Sequence, residues 1–208
     1  RSISIDEVTS TIGTIAPEKV LFLFVLGFAA VSPMILYDYI LNKELKQSPR
    51  LSYLIETSWT INTLNNMIGF AGLVDVGLRY SFYADEEKPD ASMQAISRVI
   101  PYFMSGFSFM SLIALVLITV FPSSSDIHRY WPALLAAALY LPFILFISNR
   151  KSLTYFGQMK VKTAIALFLS SAIDWICVSS FFILVGRCLG YSLPISELVP
   201  LFMISITV

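Results

Sequence analysis

Charge is what this chain has least of. Its 208 residues carry 14 Lys and Arg against 14 Asp and Glu, 13% in all, about half the share usual in a water-soluble domain. With 56% hydrophobic residues and a mean hydropathy of +0.74, an ordinary soluble protein is excluded. A formal net charge of zero removes the electrostatic case for nucleic acid. One histidine and two cysteines offer no metal-ligand spacing. His128 falls between charged residues of a predicted loop, where solvation accounts for it. There is no nucleophile motif, no phosphate-cradling Gly-rich loop after a strand and no Ser/His/Asp set. Cys177 and Cys188 fall in one predicted helix. At about 1.5 Å rise per residue they lie roughly 16 Å apart, beyond disulfide reach, so both read as buried thiols. No signal peptide is visible. The start at Arg1-Ser2 and the stop at Val208 inside an apolar run suggest a piece of a longer polypeptide.

What the chain does have is long apolar runs. Residues 20–41 form the first, long enough for roughly 30 Å of hydrocarbon, with a kink expected at Pro33. Further spans are predicted at 99–121, 131–147 and 163–189, and a last one runs from 198 to 208. Pro132 suits a first helical position. Residues 1–19 suggest a short surface helix through Ile3, Ile5, Val8, Ile12 and Ile15, or else a solvated loop. The polar segments between are 42–52 (Lys43, Lys46, Arg50), 84–97 (Asp85, Glu86, Glu87, Asp90), a turn cluster at 122–126, and 149–162 (Arg150, Lys151, Lys160, Lys162).

Residues 56–80 do not fit the pattern. Their first half carries Thr57, Ser58, Thr60, Asn62, Asn65 and Asn66; their second half carries Gly69, Gly72, Gly77 and Arg79. Lipid penalises unsatisfied polar groups, so such a stretch faces protein or a water-filled cavity. Ser58, Asn62, Asn65, Asn66, Gly69 and Gly72 recur at helical spacing and share one face, with Ile61, Leu64 and Ile68 largely opposite. Two readings fit: the polar inner wall of a cavity, or a packing helix whose Asn and Gly hold neighbours together.

Loop charge discriminates among topologies. The basic loops at 42–52 and 149–162 are expected on the cytoplasmic side, and the loop at 122–130, with a single Lys or Arg, outside. Two spans then return 84–97 to the cytoplasmic side. Residues 53–83 therefore begin and end on one side. At about 1.5 Å per residue, some 30 residues in one helix would reach roughly 45 Å, long for one crossing. The sequence predicts an all-α integral membrane protein, a polytopic helical bundle with a broken, re-entrant-type hairpin at about 54–80, turning near 69–72.

Few ionisable residues lie inside the predicted spans. Asp174 sits near the middle of 163–189, one turn after Ser170 and Ser171. An acid there costs about 2.5–3.5 kcal/mol on insertion scales, so it faces the bundle interior with a partner, in a pathway or in a structural hydrogen bond. Asp38, between Tyr37 and Tyr39, either snorkels to the interface beside belt tyrosines or pairs with Arg79. Arg79 can instead receive a phosphate by two-pronged hydrogen bonding, or simply lie at the interface. Asp75, four residues before Arg79, can pair with it along one helix face. Gly186 and Gly190 allow close helix contact, a pattern too common to establish a homo-oligomer.

The run SWTINTLNNMIGFAGLVDVGLRY at 58–80 resembles a signature in the membrane part of the bifunctional bacterial phosphatidylglycerol lysyltransferases, also called multiple peptide resistance factors. The upstream MILYD at 34–38 is similar to the acidic motif of the same domain. Asp75 stands where that pattern has a small residue. The resemblance implies that this chain is part of a lipid flippase domain in a bacterial cell membrane. A synthase domain that takes the aminoacyl group from aminoacyl-tRNA would lie beyond Val208. The flippase would carry aminoacyl-phosphatidylglycerol, usually the lysyl form, to the outer leaflet, where it repels cationic antimicrobial peptides. Asp38, Asn62, Asn65, Asn66, Gly69, Arg79 and Asp174 would serve translocation, the acids receiving the amine and Arg79 the phosphate, with no cofactor in this segment. Rival readings are an ion- or proton-coupled transporter of another amphiphile and a membrane anchor for a cytoplasmic enzyme.

Overall fold

The computed structural model describes residues 13, 16–68, 73–121, 126–148 and 159–207. Within them all regular structure is helical. The surface helix expected at 1–19 and the turn cluster at 122–126 fall almost wholly outside these residues, as does most of the basic loop at 149–162. Helix α1 (Pro17–Val31) runs through a 3-10 turn, Ser32–Met34, into α2 (Ile35–Glu44). The turn marks the kink expected at Pro33. Proline has no N–H for the Ala29 carbonyl. The Ser32 N–H bonds that carbonyl instead, and Ser32 Oγ donates to the Phe28 carbonyl at 2.7 Å.

The polar stretch forms α3 (Leu51–Ile68) and α4 (Leu73–Tyr83). Tyr53 Oη near the start of α3 donates to the Phe82 carbonyl at 3.0 Å, and the Thr57 and Tyr83 hydroxyls lie 2.7 Å apart. The start of α3 thus lies beside the end of α4, as in two arms of a hairpin. The turn expected near 69–72 lies outside the described residues. At about 1.5 Å per residue, α4 reaches roughly 16 Å, about half a hydrocarbon core. Gln47 Nε2 donates to the Tyr83 carbonyl at 3.1 Å, and Thr163 Oγ1 donates to Glu44 at 2.7 Å. The segments around 44–50, 83–88 and 160–163 therefore share one end of the bundle, the arrangement that the loop charges require.

Residues 84–97, read from sequence as a polar loop, are mostly α5 (Pro89–Val99). Ser92, Ile96 and Val99 are its buried stripe. Three positions at spacings of four and three suffice for a helix lying on a bundle, but they are too few to outweigh the surrounding acids in a sequence reading. A 3-10 stretch, Ile100–Met104, leads into α6 (Ser105–Val120). Tightening to 3-10 frees carbonyls, and a bilayer has no water to receive them. Three successive carbonyls here take hydroxyl donors. Pro101 O accepts from Tyr140 at 3.0 Å, Tyr102 O from Ser105 at 2.5 Å and Phe103 O from Ser171 at 2.6 Å.

The span expected at 131–147 divides at Leu139 into α7 (Trp131–Ala138) and α8 (Tyr140–Ser148). Pro142 is the cause: it has no N–H for the Ala138 carbonyl. Ser108 of α6 repairs the break, donating to Ala138 O at 2.7 Å and accepting from the Leu141 N–H at 3.1 Å. Ser108→Ala is expected to destabilise the protein by about 1–3 kcal/mol, the cost of orphaning buried backbone groups. Adding Pro142→Ala should recover part of that loss, because residue 142 then donates to Ala138 O. Thermal melts of the single and double variants in detergent check this; equal losses in both would refute it.

The longest helix, α9 (Val161–Cys188), closes at Gly190, whose φ of 86° suits a left-handed cap. The Tyr191 and Gly190 N–H groups bond the Gly186 and Arg187 carbonyls. Gly190 is thus accounted for as a helix stop. Helix α10 (Ile195–Thr207) follows. Cys177 and Cys188 are half-buried free thiols.

Two cores result. One joins α6, α7 and α10 through Phe107, Met110, Leu134, Phe202 and Met203. The other joins α2, α3, α5 and α9 through Leu41, Ile61, Ile96 and Leu167. Ile61 was expected largely opposite the polar face; it is buried because it shares one stripe with Leu54, Thr57 and Ser58, at spacings of three and four. Among the described residues, four helical segments are long and apolar enough to cross a bilayer: Pro17–Glu44, Pro89–Val120, Ile127–Phe146 and Val161–Cys188. Large apolar side chains such as Leu21, Phe24, Phe143 and Leu169 stand outward, as lipid contact requires.

Candidate functional site

The hairpin's second arm delivers an arginine to the second core. Arg79 and Asp38 are fully buried, and Asp75 and Asp174 are 5% and 4% exposed. Arg79 Nε donates to Asp38 Oδ1 at 2.7 Å, and its Nη1 bonds Asp75 one turn earlier on α4. Asp38 does not snorkel to the interface; of the alternatives, the pairing with Arg79 is the one observed. Tyr37, read as a belt residue, is buried as well, whereas Tyr39 is 55% exposed.

Phe103, in the 3-10 stretch, is the centre that sequence reasoning missed. The Arg79 guanidinium lies over its ring at 4.7 Å, and Tyr37 stacks on it at 4.4 Å. Tyr37 Oη then donates to Asp174 Oδ2 at 3.1 Å. A continuous network therefore runs Asp174–Tyr37–Phe103–Arg79–Asp38 and Asp75, joining α9, α2 and α4. Nothing in local periodicity points to Phe103. The one available hint was Pro101, which breaks the helix just there.

The network is not closed. Asp38 Oδ2, Asp174 Oδ1 and Arg79 Nη2 are buried without a hydrogen-bond partner among the described residues. Each such orphan costs about 1–3 kcal/mol. The Arg79 guanidinium pairs with two carboxyl groups, Asp38 and Asp75, whereas Asp174 bonds the Tyr37 hydroxyl and has no cationic partner among the described residues. Asn62 and Asn65 are half-buried on α3. Asn62 Nδ2 donates to the Ser58 carbonyl at 2.7 Å, and Asn65 Oδ1 has no hydrogen-bond partner among the described residues. Asn66 lies in α3, but its side chain is outside the described residues, as is Gly69. Asn62, Asn65 and the Arg79 cluster thus occupy the same hairpin, while Asp174 reaches the cluster through Tyr37. Ser171 shares the buried face of α9 with Asp174, as expected, and serves the 3-10 stretch there, bonding Phe103 O and the Gly106 N–H. Among the described residues no group of His, Cys, Asp and Glu could hold a metal ion.

Tyr37→Phe keeps the ring on Phe103 and leaves both Asp174 oxygens unpartnered. A loss of about 1–3 kcal/mol is expected, read as a lower melting temperature. Asp174→Leu in the same background should remove that penalty. Failure of the double variant to melt above Tyr37→Phe would contradict the pairing.

The chain is 34% identical over 165 residues to the phosphatidylglycerol lysyltransferase of Bacillus subtilis (strain 168), a match covering 75% of this chain and 19% of that protein. It is 26% identical over 198 residues to the phosphatidylglycerol lysyltransferase of Staphylococcus aureus (strain MRSA252), covering 90% of this chain and 22% of that one. For the enzyme of the same name from Staphylococcus haemolyticus (strain JCSC1435), the figures are 33% over 129 residues, 59% and 15%. The chain therefore spans about a fifth of the length of the curated relatives it matches. Neither a family model nor a solved structure matches it.

Proposed function

The chain belongs to the phosphatidylglycerol lysyltransferase family, and we propose that this segment translocates aminoacylated phosphatidylglycerol, lysyl-phosphatidylglycerol foremost, from the inner to the outer leaflet. It is a multi-pass protein of a bacterial membrane. The observation that carries the proposal is the open network inside an apolar bundle: two buried carboxyl groups share the Arg79 guanidinium, and a third, Asp174, joins them only through Tyr37 and Phe103. A headgroup cannot cross hydrocarbon bare, so a polar path must escort it. A lysyl headgroup brings ammonium groups. Asp38 Oδ2 and Asp174 Oδ1 receive them, and Arg79 Nη2 is left for a phosphate oxygen. Asn62 and Asn65 line the way along α3. In this reading the aminoacyl group comes from aminoacyl-tRNA at a synthase domain outside these 208 residues, and the segment itself touches no nucleic acid. The consequence for the cell is a less negative outer surface and resistance to cationic peptides.

The test is outer-leaflet exposure in cells producing the full-length protein. Asp174→Asn, close in size, is expected to leave synthesis of the aminoacyl-lipid intact and to lower its labelling by an impermeant amine-reactive dye. Unchanged labelling at normal expression would remove Asp174 from the path.

A further inference from the structure

We propose that the seam between α1 and α3 is a phospholipid site of two compartments, one for an acyl chain and one for the ester region that links the chains to the headgroup. The first is a groove of ≈ 280 Å³ with only apolar and aromatic side chains at its walls, Gly27, Phe28 and Phe181 among them. The second is a cavity of ≈ 110 Å³ bordered by Ser58, Asn62 and Thr63. Val31 and Trp59 border both, so the compartments adjoin. Phe28 stacks on Trp59 between them, ring centroids 5.1 Å apart.

The walls select the occupants. A buried water needs two to four polar partners, and an apolar cavity stays dry. The groove offers no such partners, so hydrocarbon is its natural filling in a bilayer. The smaller cavity is well above the roughly 10–15 Å³ that a water needs, and it has polar walls. Ser58 is fully buried there, and its Oγ, though near the Tyr83 hydroxyl, has no partner in hydrogen-bond geometry among the described residues. Its O–H is left to donate. An ester carbonyl accepts hydrogen bonds and donates none, so it matches that hydroxyl, whereas an ammonium does not. Ile35 borders the same cavity, one turn before Asp38 on α2. An ester held at Ser58 therefore places the headgroup toward the carboxyl network and the chain toward Gly27.

Gly27 keeps the groove open. A Cβ there would lie 3.4 Å from Phe181 Cζ, so a methyl group just fits and a leucine fills the space. The assignment rests on reading the carboxyl network as the headgroup path, but its test is binding. The probe is phosphatidylglycerol with a diazirine partway along one acyl chain, photolysed on the purified full-length protein in detergent and mapped by mass spectrometry. Label at Phe28, Trp59 and Phe181 that excess unlabelled phosphatidylglycerol competes away is expected. Label spread equally over the outward-facing Leu112 and Val116 of α6 would overturn the proposal. Gly27→Leu should lose the competed groove label while label at Leu112 and Val116 persists; an unchanged groove label would also overturn it. The map of the unaltered protein decides the matter even if that variant folds poorly. Groove labelling in a protein that moves no lipid across liposomes would sink the translocation reading alone. Translocation without groove labelling would sink this one alone.

Discussion

Arg79→Ala is expected to lower stability by about 3–5 kcal/mol, the usual result of leaving buried charges without their partner, and to abolish outer-leaflet lysyl-lipid while synthesis continues. The stability loss comes from Asp38 and Asp75, which share this one guanidinium in a site closed to water. Arg79→Lys should rescue neither property fully: an ammonium is a point donor, whereas Arg79 spans two carboxylates and lies over Phe103. A triple variant separates folding from function. With Asp38→Asn, Asp75→Asn and Arg79→Gln, no charge is stranded, and most of the melting temperature should return. Translocation should not, because Asp38, one of the two carboxyl groups that receive the amine, and Arg79, which takes the phosphate, are gone. Normal outward exposure in the triple variant would show that the network is structural only.

Gly106→Ala is expected to be at least as damaging, for a steric reason. A Cβ on Gly106 would overlap the Ser171 backbone carbonyl. Backbone cannot step aside as a flexible side chain can, so α6 would have to move off α9. Inserting even one carbon into a packed core costs about 1–3 kcal/mol where side chains can adjust, and here the loss should exceed that. The same contact lets Ser171 accept the Gly106 N–H and donate to Phe103 O, at 2.7 and 2.6 Å. Separating the helices would therefore also orphan the 3-10 stretch that carries Phe103. Fluorescence-detected size exclusion should show aggregate or no protein for Gly106→Ala. A normal monodisperse peak with an unshifted melt would refute the close approach. Ser171→Ala, which keeps the packing and loses only the hydroxyl, should be milder.

Much of this was legible before any coordinates. Apolar run length gave the crossings, because hydrocarbon thickness sets a minimum that few other folds need. The doubled-back path of 53–83 followed from loop charge and length, and the pairing of Tyr53 with Phe82 and of Thr57 with Tyr83 has that geometry. The expense of charge in lipid singled out Asp38, Arg79 and Asp174. What stayed hidden were the contacts that long-range packing alone creates. Phe103 is one aromatic residue among many in the sequence, and only the fold puts it between Tyr37 and Arg79. Ser108 and Ser171 looked like ordinary small polar residues. Their task, bonding backbone groups freed by Pro142 and by the 3-10 stretch after Pro101, depends on a neighbouring helix arriving at the right height. Asp75 was visible as a neighbour of Arg79, but its burial was not. The helix at Pro89–Val99 was lost in its own acids, whose charge said loop while three buried positions said helix.

The account turns on buried carboxyl groups that take the amine of a lipid headgroup. Full-length protein in liposomes carrying lysyl-phosphatidylglycerol or unmodified phosphatidylglycerol tests this most directly, with leaflet exchange of each lipid followed by an impermeant reagent. The account predicts faster exchange of the lysyl form, and loss of that advantage in Asp38→Asn and in Asp174→Asn. Equal rates for both lipids, or an advantage that survives both substitutions, would contradict it.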